Sequence, residues 1–282
     1  MPHVFETVTI PAATFTAGLR TPVVMLHASL SCKSQWNPLV ERLGARYEPV
    51  SLDLVGYGTH ALPPPASAFT IDDEVRHVER QLKAVIGARP FHLVGHSYGA
   101  LVALRLAQRQ PARVASLSLY EPAALRLLGD DDAAYANLHE LAERVQRHIG
   151  AGRNQDAAQA FVDYWSGRGY FSSLPMTTRH AIAKRVAKVV LDFQASLRWP
   201  AQASDLRVIA TPTLLLVGTE GHSVTHRIAG KILAAMPDSS LRACESGHLG
   251  PIDAPAAVNP SIEAFIDECE RAAHRRTRTV AA

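Results

Sequence analysis

Cysteine is scarce in this chain. There are three, Cys32, Cys244 and Cys269, and their odd number, wide spacing and lack of any C-x-x-C pair argue against a disulfide framework or a zinc knuckle. Long apolar runs are missing too. No stretch approaches the ~18 residues of a membrane-spanning helix, and Met1 to Pro22 lacks the charged-then-apolar pattern of a secretory signal. A reducing, cytoplasmic setting away from the membrane is the expectation. A large excess of either charge is also absent. The formal net charge is +3, and Arg271, Arg275, Arg276 and Arg278 in the last twelve residues account for it, leaving 25 basic against 26 acidic side chains elsewhere. That balance argues against a basic nucleic-acid-binding face.

What is present reads as a globular protein. Hydrophobic residues make up 47% and charged residues 20% of the 282 residues, which excludes wholesale disorder. At ~150 residues per domain the length fits one large domain or two small ones. Short β-branched and apolar runs alternate with longer helical patterns: Val4–Ile10, Val23–His27, Val50–Leu54, Phe91–Gly95, Val114–Tyr120, Thr213–Val217 and Leu241–Cys244. Most are apolar throughout, as strands buried on both faces are, so the pattern predicts a mostly parallel sheet with helices on both sides. Thr70 with Asp73 reads as a helix N-cap ahead of Ile71, Val75, Val78, Leu82 and Val85. A second helix should run from about Tyr98 until Pro111 stops it. Pro63-Pro64-Pro65 reads as a rigid loop.

From about Ala123 to Asp205 no strand pattern occurs, while Leu138, Leu141 and Val145, then Ile182, Val186 and Val189, recur at helical spacing. Roughly eighty residues exceed any ordinary connection, so this stretch is expected to be a helical insertion. In a chain with 6% aromatics it holds Phe161, Tyr164, Trp165, Tyr170, Phe171, Phe193 and Trp199. Most should pack internally; Trp165, Tyr170 and Phe171 are candidates for a substrate pocket.

The sharpest local signal is Gly95-His96-Ser97-Tyr98-Gly99, a G-x-S-x-G run that follows one predicted strand and opens the next predicted helix. A serine on such a turn is held clear of the backbone, flanking glycines allow close approach of neighbouring segments, and the helix N-terminus offers N–H groups to a developing oxyanion. Upstream, Val23–Leu26 ends in His27-Ala28-Ser29 with Trp36 following, and Asp53-Leu54-Val55-Gly56-Tyr57-Gly58 comes after the next strand. With the serine turn and a helical insertion, these motifs in order resemble the α/β-hydrolase family across nearly the whole chain. The resemblance implies an α/β-hydrolase core over residues 1–122 and 206–282 and an inserted helical cap over 123–205. It implies Ser97 as nucleophile and the backbone N–H groups of Ser29 and Tyr98 as oxyanion donors. Ala28 stands where the family usually has glycine, and its methyl group could shift the Ser29 amide.

A serine hydroxyl needs a base near neutral pH. His248, in Ser246-Gly247-His248-Leu249-Gly250 after the last predicted strand and before a helix expected over Pro255–Cys269, is the candidate, and the family places its base in such a Gly-His. His27 and His96 read as structural supports. His222 and His226, four apart, lack a third metal ligand, so no metal is expected. Two glutamates compete for the acid that orients the base. The commonest family position is an aspartate in Gly-x-x-Asp, but this chain reads Gly218-Thr219-Glu220-Gly221, with the acid one residue early. Glu121 directly follows the Val114–Tyr120 run and precedes Pro122, which favours an extended conformation at the sheet's C-terminal edge. Glu121 is the first choice and Glu220 the second.

A seryl nucleophile excludes the alkyl-enzyme chemistry of dehalogenases and epoxide hydrolases, which attack with a carboxylate. Gly56-Tyr57-Gly58 lacks the downstream glycine of a dinucleotide site, and no cofactor is expected. The resemblance implies a serine hydrolase for an ester or thioester of a small to medium acyl compound. A carbon–carbon bond hydrolase, acyltransferase or perhydrolase could use the same residues, and a ligand-binding module that turns over little is the reading from another class. The expected partner is the small acyl substrate alone; a monomer and a homodimer are both open.

Overall fold

The computed structural model describes the backbone of residues 19–63, 68–199 and 202–280, with side chains through residue 276. Six strands form one parallel sheet: β1 (Pro22–Leu26), β2 (Glu48–Leu52), β3 (Phe91–His96), β4 (Val114–Tyr120), β5 (Thr213–Gly218) and β6 (Ser239–Cys244), in the order β2-β1-β3-β4-β5-β6. Val4–Ile10 and most of the proline run lie outside the described residues. The second strand begins earlier than the apolar run suggests because Glu48 pairs opposite Pro22 at the start of β1.

Around the sheet lie α1 (Asn37–Leu43), α2 (Ile71–Val85), α3 (Tyr98–Arg109), α4 (Ala133–Gly150), α5 (Asn154–Ser166), α6 (Tyr170–Ser173), α7 (Met176–Arg185), α8 (Ala187–Leu197), α9 (Ser223–Ala235), α10 (Gly250–Asp253) and α11 (Pro255–Val280). The Thr70 hydroxyl accepts from the Asp73 amide and the Asp73 carboxylate accepts from the Thr70 amide, a complete capping box at the start of α2. The C-terminal helix expected to end near Cys269 continues to Val280.

Two apolar layers explain why the strands are hydrophobic throughout. Val24, Leu26, Leu93, Leu117, Leu119 and Leu215 pack on the side of α2 and α3. Their chain neighbours Val23, Met25, Val94, Leu214 and Leu216 face the other way, onto α1 and α11. Among the described residues no strand lies between β4 and β5; that stretch carries α4 to α8. Leu138, Leu141, Val145, Val186 and Val189 are buried and belong to the same core as α2 and α3, while Ile182 is half-buried. Trp165 of α5 stacks on His248 and Asp192 of α8 accepts from Ser29, which places these helices over the C-terminal ends of the strands.

Packing at those strand ends is tight where β1 meets α3. A Cβ on Gly99 would fall 2.4 Å from the His27 carbonyl oxygen, which is main chain and cannot rotate away. Gly99→Ala should destabilise the protein by about 1–3 kcal/mol, lowering Tm by roughly 3–10 °C. A melting curve unchanged by this substitution would show that the strand and helix have room to spare.

Candidate active site

Ser97 sits between β3 and α3 with φ +53°, a backbone region that costs an L-residue of order 1–3 kcal/mol. The surroundings enforce it. Its N–H donates to the Tyr120 carbonyl at 2.9 Å, and its carbonyl accepts from the Ala100, Leu101 and Ala123 amides. A Cβ on Gly95 would lie 2.5 Å from the Ala100 Cα, so that glycine too is required. The hydroxyl then stands at the N-terminus of α3.

His248 is buried in the turn after β6. Its Nε2 lies 3.1 Å from Ser97 Oγ, and its Nδ1 lies 2.6 Å from Glu121 Oε2. Pairing with an acceptor-only carboxylate puts the proton on Nδ1 and leaves the Nε2 lone pair facing the hydroxyl. The His248 imidazole is held from behind as well. His96 Nε2–H donates to the His248 carbonyl at 2.8 Å, and the Tyr120 hydroxyl donates to the Gly247 carbonyl at 2.7 Å. Burial pushes the His96 imidazole well below its ordinary value, which keeps it a neutral support beside the base.

Glu121 is fully buried one residue after β4. Its φ is +42°, not the extended conformation expected ahead of Pro122. The amide donates to the Leu216 carbonyl and Oε1 accepts from the Gly218 amide, both at 2.9 Å. Those two bonds to β5 turn the backbone and fix the side chain. Burial alone would raise the carboxyl pKa, but the His248 hydrogen bond and charge, with the Gly218 amide, hold it below the usual range. A Cβ on Gly221 would fall 1.9 Å from Glu121 Oε1. The position that reads as the commonest acid site is thus a glycine whose missing side-chain space holds the Glu121 carboxylate. Glu220 is exposed and donates only its amide, to the Ser246 carbonyl at 3.0 Å; the one-residue offset carries its side chain away from the site.

The turn after β1 borders the serine. His27 Nδ1–H donates to the Ala28 carbonyl at 2.7 Å and its Nε2 accepts from the Leu54 amide at 3.1 Å. Burial lowers its pKa to about 4, so it stays neutral and structural. Among the described residues Leu30, Ser97 and Glu121 are the non-glycine positions with positive φ. Ala28, not one of them, carries its methyl group without backbone strain, and its amide donates to the buried Gln35 Oε1 at 3.1 Å. Ser29 and Tyr98 both line the cleft at Ser97.

A model of the alpha/beta hydrolase family matches residues 23–260. The chain belongs to this family. Its similarity to the polyketide synthase ThaQ of Burkholderia thailandensis is 27% identity over 267 residues, covering 91% of this chain but 12% of that protein. The probable lysophospholipase BODYGUARD 1 of Arabidopsis thaliana is 31% identical over 105 residues, 36% of this chain and 22% of that protein; the chain thus spans only a small part of these curated relatives. A thermophilic esterase from Thermogutta terrifontis shares the fold with a TM-score of 0.70 at 21% identity, covering 88% of this chain and 90% of that one.

In this alpha/beta hydrolase the cleft at Ser97 is narrow. Trp165 lines it and stacks on His248, ring centroids 4.9 Å apart and planes 25° apart. Tyr170 and Phe171 do not line it. Phe171 is buried among the inserted helices, its amide on Asp163 Oδ1, and Tyr170 packs half-buried against the same core. The remaining wall is Ala123, Leu125, Phe161, Phe193, Ser196 and Asp192. Asp192 is the residue that sequence reasoning missed. With Lys188 one turn earlier on α8, it belongs to a buried charge cluster with Glu74 of α2. The available signal was a lysine and an aspartate at i, i+4 on an otherwise apolar helix. His222 and His226 are occupied differently from a metal pair: His222 Nδ1 accepts from the Val224 amide, and His226 Nε2–H donates to the Gly218 carbonyl. Among the described residues no group of three His, Cys, Asp or Glu side chains could hold a metal ion, and no helix is long and apolar enough to cross a membrane.

The Glu121 carboxyl has a pH signature. Because its folded pKa is depressed, its stabilisation is complete above the ordinary value of 4.5 and is lost as pH falls through the folded value. Wild type should melt roughly 3–8 °C above Glu121→Gln at about pH 7, and the gap should close as the pH falls below the ordinary carboxyl value and through the depressed folded one. A gap independent of pH would contradict an ionised, hydrogen-bonded Glu121.

Proposed function

We propose that this chain is a serine hydrolase that cleaves an ester or thioester of a small to medium acyl compound through an acyl-serine on Ser97. The observation that carries the reading is the unbroken line from Ser97 Oγ through His248 to Glu121, at 3.1 and 2.6 Å. In the proposed reaction Ser97 Oγ attacks the carbonyl carbon while His248 Nε2 takes its proton. Glu121 holds the imidazole in the required tautomer and stabilises the imidazolium. The backbone N–H groups of Ser29 and Tyr98, with the N-terminus of α3, receive the oxyanion. His248 then returns the proton to the leaving oxygen or sulfur. Water repeats the sequence on the acyl-serine and frees the acid.

The cleft supports a modest acyl group. Ala123, Leu125, Phe161 and Phe193 give it an apolar wall, and the inserted helices act as a cap that keeps Trp165 over the base. Excluding water strengthens each polar interaction within. A carbon–carbon bond hydrolase, acyltransferase or perhydrolase would use the same three residues and differ in what the cleft admits.

Labelling with a fluorophosphonate, followed by turnover of p-nitrophenyl esters of increasing chain length, tests the reading. Wild type should label on Ser97 and hydrolyse short esters; Ser97→Ala should not label and should lose turnover by several orders of magnitude. Glu121→Gln should lose roughly 10⁴-fold in kcat, while Glu220→Gln stays within about tenfold. Turnover undiminished in Ser97→Ala would overturn the mechanism, and a wild type that neither labels nor turns over would favour a ligand-binding module. Shortening the far wall by Phe193→Ala should move the preference toward longer acyl chains. A shift in Tm with unchanged preference would instead assign Phe193 to packing.

A further inference from the structure

Ser29 and Tyr98 come from different elements, one in the turn after β1 and the other at the first residue of α3. Their side-chain hydroxyls nevertheless end in the same place. Ser29 Oγ–H donates to Asp192 Oδ2 at 2.6 Å, and the Tyr98 hydroxyl donates to Glu74 Oε2 at 3.1 Å. Lys188 joins the two acceptors: its ammonium donates to Glu74 Oε2 at 2.9 Å and to Asp192 Oδ1. Each carboxylate has one more donor, the Val55 amide on Glu74 at 2.6 Å and the Tyr57 hydroxyl on Asp192 at 2.5 Å. Both acids thus accept three hydrogen bonds; burial pushes the Glu74 carboxyl up, and the Lys188 ammonium opposes that shift. The ammonium faces the rings of Phe69, Tyr98 and Tyr57 at 4.7, 4.8 and 5.3 Å, which compensates part of its lost hydration.

This arrangement costs desolvation of three charges, and stability alone is a weak reason to build it. Its geometry offers another. Two of the charges, Lys188 and Asp192, come from the inserted helix α8, and the third from α2 beneath it. The turn bearing Ser29 is strained at its next residue, Leu30, with φ +63°; a leucine holds that conformation only where the surroundings fix it. The hydroxyl bond to Asp192 is such a constraint, and it enters through Ser29 itself.

We infer that the Glu74–Lys188–Asp192 cluster positions the oxyanion hole, holding Ser29 and Tyr98 by their side chains so that their backbone N–H groups converge on one point. The inference rests on the acyl-serine reading of Ser97. The three charged residues are positioning residues: they act through Ser29 and Tyr98 and carry no proton in the reaction. The inserted helices thereby do more than shape the cleft, because an oxyanion hole assembled through α8 is complete only when α8 is seated. Displacing donors from the point where charge develops weakens transition-state binding while leaving the ester's ground-state binding nearly unchanged.

The test uses variants that keep every backbone N–H. Ser29→Ala and Tyr98→Phe each remove one hydroxyl; Asp192→Asn removes one acceptor charge and leaves Glu74 and Lys188 as a neutral pair. Each should lower kcat on a p-nitrophenyl ester by about ten- to a hundredfold, less than the roughly 10²–10³ of deleting a donor outright, with KM within about threefold. The Ser29→Ala/Asp192→Asn double variant should be no slower than the slower single, since both break one link. Inhibition by a trifluoromethyl ketone, which presents an oxyanion once added to Ser97, should weaken in proportion to kcat/KM across the set. Circular dichroism and Tm confirm that each variant folds, and Ser29→Ala, half-buried and isosteric, keeps the test open where Asp192→Asn unfolds. Normal kcat in Ser29→Ala and Tyr98→Phe would overturn the inference, as would a double variant whose losses multiply. Turnover undiminished in Ser97→Ala would instead remove the reading beneath it.

Discussion

The carboxylate of Glu121 lies in space that, by chain position, belongs to residue 221. It leaves β4, crosses to β5, takes the Gly218 amide with one oxygen and gives the other to His248. The rest of the candidate site depends on that crossing. It sets which imidazole nitrogen carries the proton, and hence whether Ser97 faces a lone pair. It also requires glycine at 221, because any side chain there would meet Oε1. The unusual φ of Glu121 has the same cause: the backbone bends so that amide and carboxylate can both bond to the neighbouring strand.

A second constraint works from the opposite side of the cleft. The Ser97 turn, the Ser29 turn and α8 come together around one buried lysine and two carboxylates, all 5% exposed or less at their side chains. Burying these charges is tolerable because each carboxylate is saturated with donors and the ammonium is boxed by aromatic faces. Such a network is satisfied in one arrangement and poorly satisfied in others. It therefore suits the task of fixing where inserted helices sit on a sheet edge, a task that an apolar interface alone performs with less specificity.

Much of the scaffold could be read from the sequence because its local rules are strict. The parallel sheet followed from strands apolar on both faces, and α2 from the Thr70–Asp73 capping box. Ser97 stood out because its turn needs glycine at 95 and 99, and glycine is visible in a sequence. Glu121 ranks ahead of Glu220 on chain position alone, directly after the β4 run and before Pro122, whereas its bent backbone and its reach across β5 depend on tertiary packing. Trp165 lines the cleft while Tyr170 and Phe171 pack against the core, a difference hidden in the sequence because aromatics that line a cleft and aromatics that pack under it look alike in one dimension. Lys188 and Asp192 leave an ambiguous signal: an i, i+4 charge pair is the ordinary mark of a solvated helix face, and tertiary packing turns this one inward.

Moving the acid by one strand end shows whether the Glu121 carboxylate orients His248. Gly221 has an ordinary φ, and a Cβ there would meet the Glu121 carboxylate at 1.9 Å and, less closely, the Gly218 carbonyl oxygen at 2.9 Å. Activity on a short p-nitrophenyl ester would be measured for Glu121→Ala, for Gly221→Asp and for the two combined. Expected are a loss of several orders of magnitude in Glu121→Ala, impaired folding or activity in Gly221→Asp, and at least a tenfold recovery over Glu121→Ala in the double variant, whose aspartate occupies the vacated space. Full activity in Glu121→Ala, or in Gly221→Asp with Glu121 intact, would contradict this placement of the acid.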